Sequence, residues 1–434
     1  MTNIAVVVLD TVRYDSFYRA FDWLDGAHFS RAYSTSHWTV PAHATLFTGE
    51  YASNVGVHGG SPTLDCPERT LAERFQAEGY RTRALSANAQ LNQYEGWDRG
   101  FDEFVTTANL GRTDESVYDW AAHIEETEPG LSRHLTGVAR CFSPGISTIR
   151  SLKYGYDLFQ TEPYDGGAKA VRKRLRATEF GDEELLFVNL MDAHTPYRPP
   201  PGEHDAVTVV VADALADTVS DPGKIRAAYR ESVRHLAGVY RDIYDELHDS
   251  FDYVVTLSDH GELLGEHGLW NHSISLHPEL IHIPLVVSGP AVDSSEHHDP
   301  VNLLDVHQTI ATLGDVDVES AGRNLFDTLV PRELLFESHG LLPFHKQQFE
   351  RYELPAAVFD RWQTPLYGYI TPAGAYCYEP EPGGFRTLGT PDVANVQARL
   401  DDIVADKLER RPLQSDQPDV SEEVKDRLED LGYA

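Results

Sequence analysis

Short apolar runs that each end in polar residues are the feature of this sequence that most constrains its fold. Four such runs occur, at Ile4–Leu9, 184–191, 253–257 and 283–287, and they lead into Asp10, Asp192, Asp259-His260 and Ser288. Continuous runs of this length are typical of strands that are buried on both faces. Helical patterns at 68–78 and 224–247 separate them. This alternation predicts an α/β fold with a mostly parallel central sheet flanked by helices.

The length of the chain predicts a second, smaller unit. A single hydrophobic core rarely organises more than about 250 to 300 residues, and this chain has 434. We predict a large domain over 1–315, with a variable insertion at about 110–181, and a small C-terminal α+β subdomain over 316–434. In that subdomain, strand-like pieces at 333–336, 356–359, 366–371 and 376–378 predict an antiparallel sheet, closed by a helix over 391–407.

The charge of the chain argues against a nucleic-acid partner. It carries 36 Lys and Arg against 69 Asp and Glu, a net charge of −33, and such a surface repels polyphosphate. The acidity suits either a strongly saline cytoplasm, where counter-ions screen the repulsion, or solubility in general. We favour the saline cytoplasm.

The sequence also predicts a cytoplasmic protein without membrane insertion. The apolar run at the start is too short for a signal peptide, and no segment approaches the ~20 apolar residues of a membrane span. Cys66, Cys141 and Cys377 are odd in number and far apart. This favours reduced, structural cysteines over disulfides or a cysteine metal site.

The segment 36–49 carries a candidate nucleophile. Pro41 suits a first helical turn and Gly49 suits a helix stop, so a short helix over about 41–48 is predicted. Thr39 then precedes the helix amino terminus, where free N–H groups favour an anion. Its hydroxyl can attack a tetrahedral oxyanion bound there. The alternative is that Thr39 is an ordinary cap residue.

Asp10, Asp259 and His260 are the candidate metal ligands, because each follows a strand and functional groups gather at the carboxyl ends of parallel strands. Together with the Thr39 oxygen they would bind one divalent cation, such as Ca, Mg, Mn or Zn. An Asp-His pair alone is more often a hydrogen-bonded turn, so the hypothesis depends on all these groups converging.

Asp192, His194, His272 and Asn88 complete the candidate site. His194 or His272 would exchange protons with the leaving group or with water, and Asn88 would donate to a substrate oxygen. Asp192 would orient His194, or join it and His272 in a second metal site. Structural turns remain the alternative for each of them. We treat His58, His277 and His339 as incidental.

These motifs resemble the sulfatase family of the alkaline phosphatase superfamily. The family signature, Cys/Ser-x-Pro-Ser-Arg followed by Leu and Thr-Gly, is matched by 39–43, Leu46 and Thr48-Gly49, and further similarity covers 9–11, 259–261, 264–268, 270–272 and 420–433. The resemblance implies an alkaline-phosphatase-like sheet with a small C-terminal antiparallel subdomain. It also implies a metal-dependent ester hydrolase, in which His43 contacts the substrate at the position of the motif Arg.

The chain departs from the signature at several positions. Thr39 cannot become the formylglycine of sulfatases, His272 replaces a Lys and Thr11 replaces an Asp. A Thr nucleophile is similar to relatives that act on phosphorus. We therefore expect hydrolysis of a sulfate or phosphate ester through a covalent intermediate on Thr39. The substrate would be a small anionic ester or a sulfated or phosphorylated glycan. The alternatives are a phospho-group transferase acting on a glycan or lipid, and a degenerate member that binds an anion or glycan without turnover.

Overall fold

A computed structural model describes most of the chain: residues 2–88, 90–106, 131–144, 146–160, 166–200, 206–290, 292–409 and 411, with 117, 118, 120, 123 and 127. Much of the predicted insertion and the motif at 420–433 lie outside the described residues.

The described residues form seventeen strands and fourteen helices. The strands are β1 (Ile4–Leu9), β2 (Ala27–Phe29), β3 (Ala32–Tyr33), β4 (Arg81–Ser86), β5 (Glu103–Thr106), β6 (Glu184–Leu190), β7 (Tyr253–Leu257), β8 (Leu263–Leu264), β9 (Trp270–Asn271), β10 (His282–Ile283), β11 (Leu285–Ser288), β12 (Ser295–His297), β13 (Val301–Asn302), β14 (Leu334–Ser338), β15 (Leu366–Ile370), β16 (Tyr376–Tyr378) and β17 (Arg386–Leu388). The helices are α1 (Tyr14–Ala20), α2 (Thr39–Thr48), α3 (Leu71–Ala77), α4 (Gln90–Gln93), α5 (Leu131–Arg140), α6 (Thr148–Gln160), α7 (Ala168–Ala177), α8 (Val211–Leu215), α9 (Pro222–His248), α10 (Pro278–Ile281), α11 (Leu303–Leu313), α12 (Pro343–Arg351), α13 (Ala356–Trp362) and α14 (Val396–Lys407).

The central sheet has eight strands in the order β12-β2-β11-β7-β1-β6-β4-β5. β1 lies near its middle and pairs in parallel with β6 and β7, while β4 pairs in parallel with β5 and β6. All six residues of β1 are buried, as the unbroken apolar run predicts. The α/β fold with a mostly parallel central sheet is therefore confirmed.

One predicted strand of this region is split by proline. The run 283–287 contains Pro284, which has no backbone N–H to donate to a neighbouring strand. The chain before it forms β10, which pairs with β3, and the chain after it forms β11, which joins the central sheet antiparallel to β7.

The longest described helix, α9, packs on the central sheet. Asp221 caps it by accepting a hydrogen bond from Lys224 N at 3.0 Å, and Pro222 fits the first turn. α7 packs against α9, and its Val171 and Leu175 belong to the main core. This part of the predicted insertion thus belongs to the core of the large domain.

A second, four-stranded sheet forms the predicted small antiparallel layer. Its order is β14-β15-β16-β17, and every neighbouring pair is antiparallel. Leu400 and Ile403 of α14 pack on one side of it. The strand predicted at 356–359 is wrong, because Pro355 lies at the N-cap of a helix there, α13, whose Trp362 is buried. The domain boundary at 315/316 stays a prediction.

Within the described residues, every helix is too short or too polar to cross a lipid bilayer.

Candidate active site

Four neighbouring strands of the central sheet deliver polar side chains to one place. Asp10 follows β1, Asp259 and His260 follow β7, Asn189 lies near the end of β6, and Asn88 follows β4. Because these parallel strands are adjacent in the order β7-β1-β6-β4, their carboxyl ends meet at one edge of the sheet. All five side chains are at most 1% exposed.

Thr39 joins this group from the first turn of α2. The helix begins two residues earlier than predicted, so Thr39 is its first residue and Trp38, in extended conformation, is the N-cap. The Thr39 hydroxyl lies 3.4 Å from Oδ2 of Asp10 and 3.2 Å from Nε2 of His260. Thr39 is therefore not the cap residue of this helix, and its side chain faces the strand ends.

The ligating atoms of Asp10, Asp259 and His260 lie within 4.8 Å of one another. The pKa of both carboxyl groups is raised to about 7, by burial in each case and, for Asp10, also by the charge of Asp259. Two carboxylates that are buried together repel each other. The pair is stable only when a cation or bound protons neutralise its charge.

The donor set fits a divalent cation. Oδ1 of Asp10 is buried and meets no hydrogen-bond donor among the described residues. Nδ1 of His260 lies 2.9 Å from the Gly261 carbonyl, so its N–H is donated there and Nε2 presents a lone pair toward Asp10 and Asp259. Burial lowers the pKa of His260 and keeps the ring neutral. Two carboxylates and one imidazole are ligands that Ca, Mg, Mn and Zn accept to different degrees.

His43 lies one turn after Thr39 in α2. Its Nδ1 donates to the Thr39 carbonyl at 2.9 Å and lies 3.6 Å from Oδ2 of Asp259. The ring is fully buried and packs edge-on against Phe47 and Phe187, and burial lowers its pKa to about 3. A neutral, enclosed imidazole thus replaces the motif Arg, in a position that supports Thr39.

Asn88 and Asn189 both donate to Asp10. Nδ2 of Asn88 lies 2.8 Å from Oδ2 of Asp10 and 3.4 Å from Oγ1 of Thr39, and Nδ2 of Asn189 lies 3.3 Å from the same Asp10 oxygen. Asn189 also lies 3.4 Å from Nε2 of His43. Our sequence analysis missed Asn189, although a single polar residue inside the apolar run 185–190 is a signal that can find such a residue.

His194 and His272 lie beside His260. The ring centroids of His194 and His272 are 4.9 Å apart, and those of His260 and His272 are 4.6 Å apart. Nδ1 of His272 lies 3.1 Å from Oε1 of the buried Glu262, a residue that we also missed. Burial and neighbouring histidines hold the pKa of both rings well below the usual range, so both are neutral.

The Asp192 carboxylate contacts the start of α7. Its Oδ2 accepts a hydrogen bond of 3.1 Å from Ala168 N, at the start of α7. Within the described part of the chain, Asp192, His194 and His272 do not converge as the Asp10 group does. A second metal site built from them stays a prediction.

A small cleft opens beside His272. It is lined by Trp38, Gln90, His272, Ser273, Gly340, Leu341, Leu342 and His345. Nε2 of His345 lies 3.2 Å from the Ser273 hydroxyl. These lining residues include no lysine or arginine, so the cleft offers neutral hydrogen-bonding groups and apolar surface to a ligand.

The sequence of the chain is similar to known sulfatases. A profile of the Sulfatase family matches residues 3–316. The chain is 21% identical to the uncharacterized sulfatase YidJ of Escherichia coli K12, over 76% of this chain and 67% of the relative. It is 23% identical to a choline-sulfatase of Rhizobium meliloti, over 68% of this chain and 61% of the relative.

Among solved structures, the phosphonate monoester hydrolase SpPMH of Silicibacter pomeroyi shares the fold. The TM-score is 0.61 at 16% identity, with 95% of each chain covered. Since the family profile spans well over half of the 434 residues, the chain belongs to the sulfatase family.

Proposed function

We propose that this chain is a divalent-metal-dependent hydrolase of sulfate or phosphate esters, in which Thr39 is the nucleophile. The observation that carries the proposal is the position of the Thr39 hydroxyl, 3.4 Å from Asp10 and 3.2 Å from His260 at the edge of the sheet. Membership of the sulfatase family and the likeness to a phosphonate monoester hydrolase support this reaction class.

Asp10, Asp259 and His260 would hold the cation, with the Thr39 oxygen as a further ligand. When bound, the cation lowers the pKa of a hydroxyl and neutralises charge on the substrate. Asn88 and Asn189 hold the Asp10 carboxylate in place through their amide groups. His43 fixes the first turn of α2 through the Thr39 carbonyl.

Thr39 would attack the phosphorus or sulfur centre in line with the leaving oxygen. A bond forms between Oγ1 and that centre while the ester bond breaks, which gives a covalent intermediate on Thr39. His194 and His272 would make the proton transfers. One of these neutral rings would accept the proton that Thr39 loses and deliver it to the leaving oxygen, and the other would accept a proton from the water that releases the product.

The charge of the site favours esters with one negative charge at the reacting centre. The residues that line the cleft include no cationic side chain, and Asp10 and Asp259 lie next to the nucleophile. A phosphate monoester is largely dianionic at neutral pH because its second pKa is about 6, so its second charge is repelled. A phosphodiester, a phosphonate monoester or a sulfate monoester carries one charge there. Because Thr39 cannot supply an aldehyde hydrate, we place the phosphorus esters first and sulfated or phosphorylated glycans among the candidate substrates.

The test compares four chromogenic esters with each divalent cation in turn: bis-p-nitrophenyl phosphate, p-nitrophenyl phenylphosphonate, p-nitrophenyl sulfate and p-nitrophenyl phosphate. We expect the first two to be the best substrates. Thr39→Ala should lower kcat about 10³-fold or more, as loss of a nucleophile does in other hydrolases. Thr39→Ser keeps a hydroxyl and should retain measurable turnover.

Thr48→Ala is the matched control, because Thr48 ends the same helix and its hydroxyl donates only to the Ala44 carbonyl among the described contacts. It should leave kcat close to wild type. Hydrolysis that is unaffected by Thr39→Ala would remove the nucleophile from the proposal. Activity on sulfate alone would overturn the preference for phosphorus. Product joined to a sugar or lipid alcohol would identify a transferase, and metal-dependent binding without turnover a non-catalytic member.

A further inference from the structure

A second group of ligating side chains lies outside the candidate active site. Ring nitrogens of His267 and His277 and a carboxylate oxygen of Glu279 lie within 4.8 Å of one another. We propose that this group binds a divalent transition-metal cation of the Zn²⁺ type. Two imidazoles and one carboxylate are ligands that Zn²⁺ prefers over Ca²⁺ or Mg²⁺.

His277 is held in an orientation that suits a metal ligand. It is buried, and its Nδ1 lies 2.9 Å from the hydroxyl of Tyr378 in β16. When Nδ1 donates its N–H to this oxygen, Nε2 carries the lone pair. Metal-bound histidines commonly engage their other ring nitrogen in this way, which fixes the ring and its tautomer.

Glu279 and His267 complete the group from the solvent side. Oε2 of Glu279 lies 3.5 Å from Nε2 of His267, and this oxygen is buried without a hydrogen bond from any described residue. The side chain of His267 is 32% exposed, which gives a cation a path to the site.

Coordination requires one ring to move. The rings of His267 and His277 stack with centroids 3.6 Å apart and planes 7° apart, whereas a shared cation must lie near the plane of each ring. His267 would turn out of the stack about its Cβ–Cγ bond, and its exposure leaves room for this. Glu266 pairs with Arg13 at 2.8 Å and Arg386 is also close, so Glu279 supplies the negative charge for a cation.

A cation bound to this group would also connect separate parts of the fold. His267 lies between His260 and His272 in sequence, Glu279 lies in α10, and Tyr378 belongs to the four-stranded sheet. Gly261 N also donates to the Leu280 carbonyl at 2.8 Å, so the loop that follows β7 already packs on α10. A bound cation would tie that loop to α10 and, through Tyr378, to the small sheet.

The experiment counts Zn²⁺ bound to the full-length protein by equilibrium dialysis and elemental analysis. We expect His267→Asn and Glu279→Gln each to lose one equivalent relative to wild type, and to show a smaller Zn²⁺-induced rise in Tm than wild type. Asn suits position 267 because it tolerates the left-handed backbone found there, at φ 58°. Asp259→Asn should keep this equivalent, which separates the two sites.

His298→Asn is the matched control, since His298 is an exposed histidine that lies 3.9 Å from Glu296 and belongs to neither group of three ligands. It should bind as much Zn²⁺ as wild type. If His267→Asn and Glu279→Gln bind as much Zn²⁺ as wild type, the proposed site does not exist, whatever the outcome for Thr39.

Discussion

At the scale of single residues, the site is organised around one buried carboxylate. Asp10 follows the strand near the middle of the sheet, and its Oδ2 receives hydrogen bonds from Asn88 and Asn189 on the two strands to one side. Its other oxygen, Oδ1, is buried and receives no hydrogen bond from the described residues. The two amides counteract part of the increase in the Asp10 pKa that burial causes.

Asn189→Ala should therefore weaken divalent-metal binding by about 10- to 100-fold, the usual cost of removing a residue that positions a metal ligand. The reason is that Asp10 loses a donor and its pKa rises further, so protons compete better with the cation. Isothermal titration of the cation at pH 6 and pH 8 measures this, and the loss should be larger at pH 6.

Asn3→Ala provides the comparison, because Asn3 is also a buried amide, but it lies at the opposite end of β1, where it donates to Gly181 and Ser250 carbonyls. It should lower stability and leave metal affinity unchanged. Equal affinity losses in both variants would show that Asn189 acts through general stability alone.

The residue types at strand ends can be predicted from the sequence, whereas the orientations of their side chains cannot. Asp10, Asp259 and His260 are predictable as neighbours, because parallel strands end at one edge, whereas Thr39 lies in α2 and is outside this rule. The orientation of His43 depends on where α2 begins. It lies four residues after Thr39, one turn along the same face, and its imidazole reaches back to the Thr39 carbonyl.

At the scale of elements, α2 is fixed at its far end by α11. Gly49 ends α2 in the left-handed conformation at φ 73°, and a Cβ at this position would lie 2.7 Å from the His307 ring. His307 lies in α11, and its Nδ1 donates to the Leu46 carbonyl of α2 at 2.9 Å. The helix that carries Thr39 thus depends on a buried, neutral histidine.

This contact predicts a pH dependence of stability. Burial lowers the pKa of His307 to about 4 in the folded protein, whereas an unfolded histidine titrates near 6.5. Between these values the unfolded state binds more protons, so this contribution is fully present above pH 6.5 and is lost as the pH falls toward 4. The expected loss is up to about 3 kcal/mol.

His307→Gln keeps an N–H donor without a titratable ring. Urea unfolding at pH 7 and pH 5 should therefore show a smaller loss of stability in this variant than in wild type. His298→Gln removes an exposed histidine and should leave the loss unchanged. A wild-type-like loss in His307→Gln would contradict the assignment.

Elements with one clear local signal were predictable, and those that depend on a neighbour were not. β1, β7 and β16 follow from their apolar runs, and the stop of α2 follows from Gly49. α12 and α13 were not predicted. Their hydrophobic faces are recognised only from the packing of Phe349 and Trp362 beside the small sheet.

At the scale of the whole molecule, the net charge of −33 works against the compact state. Asp401, Asp402 and Asp406 are exposed together on α14, at the outer side of the small sheet. Such repulsion acts over about 10 Å at 0.1 M salt and about 3 Å at 1 M. We favour a saline cytoplasm on the hypothesis that salt screens the charge repulsion that destabilises the folded state.

Raising KCl from 0.1 to 2 M should therefore raise the Tm of the wild-type protein. The triple variant Asp401→Asn, Asp402→Asn, Asp406→Asn should have a higher Tm than wild type at 0.1 M and nearly the same Tm at 2 M. Differential scanning calorimetry measures both. A wild-type Tm that stays constant or falls with KCl would refute the hypothesis that screening stabilises the fold.

The cleft beside His272 draws its lining from parts of the chain that are far apart in sequence. Trp38, Gln90 and Ser273 come from segments around the large sheet, whereas 340–342 and His345 follow β14 of the small one. Most of the groups proposed to break the bond lie instead at strand ends and in the first turn of α2, and His272 belongs to both sets. We therefore expect the segment 340–345 to affect ester selectivity more than reactivity. Exchanging 340–345 for another sequence should change which esters are accepted, while the reacting groups keep their places. One scaffold can in this way acquire new substrates.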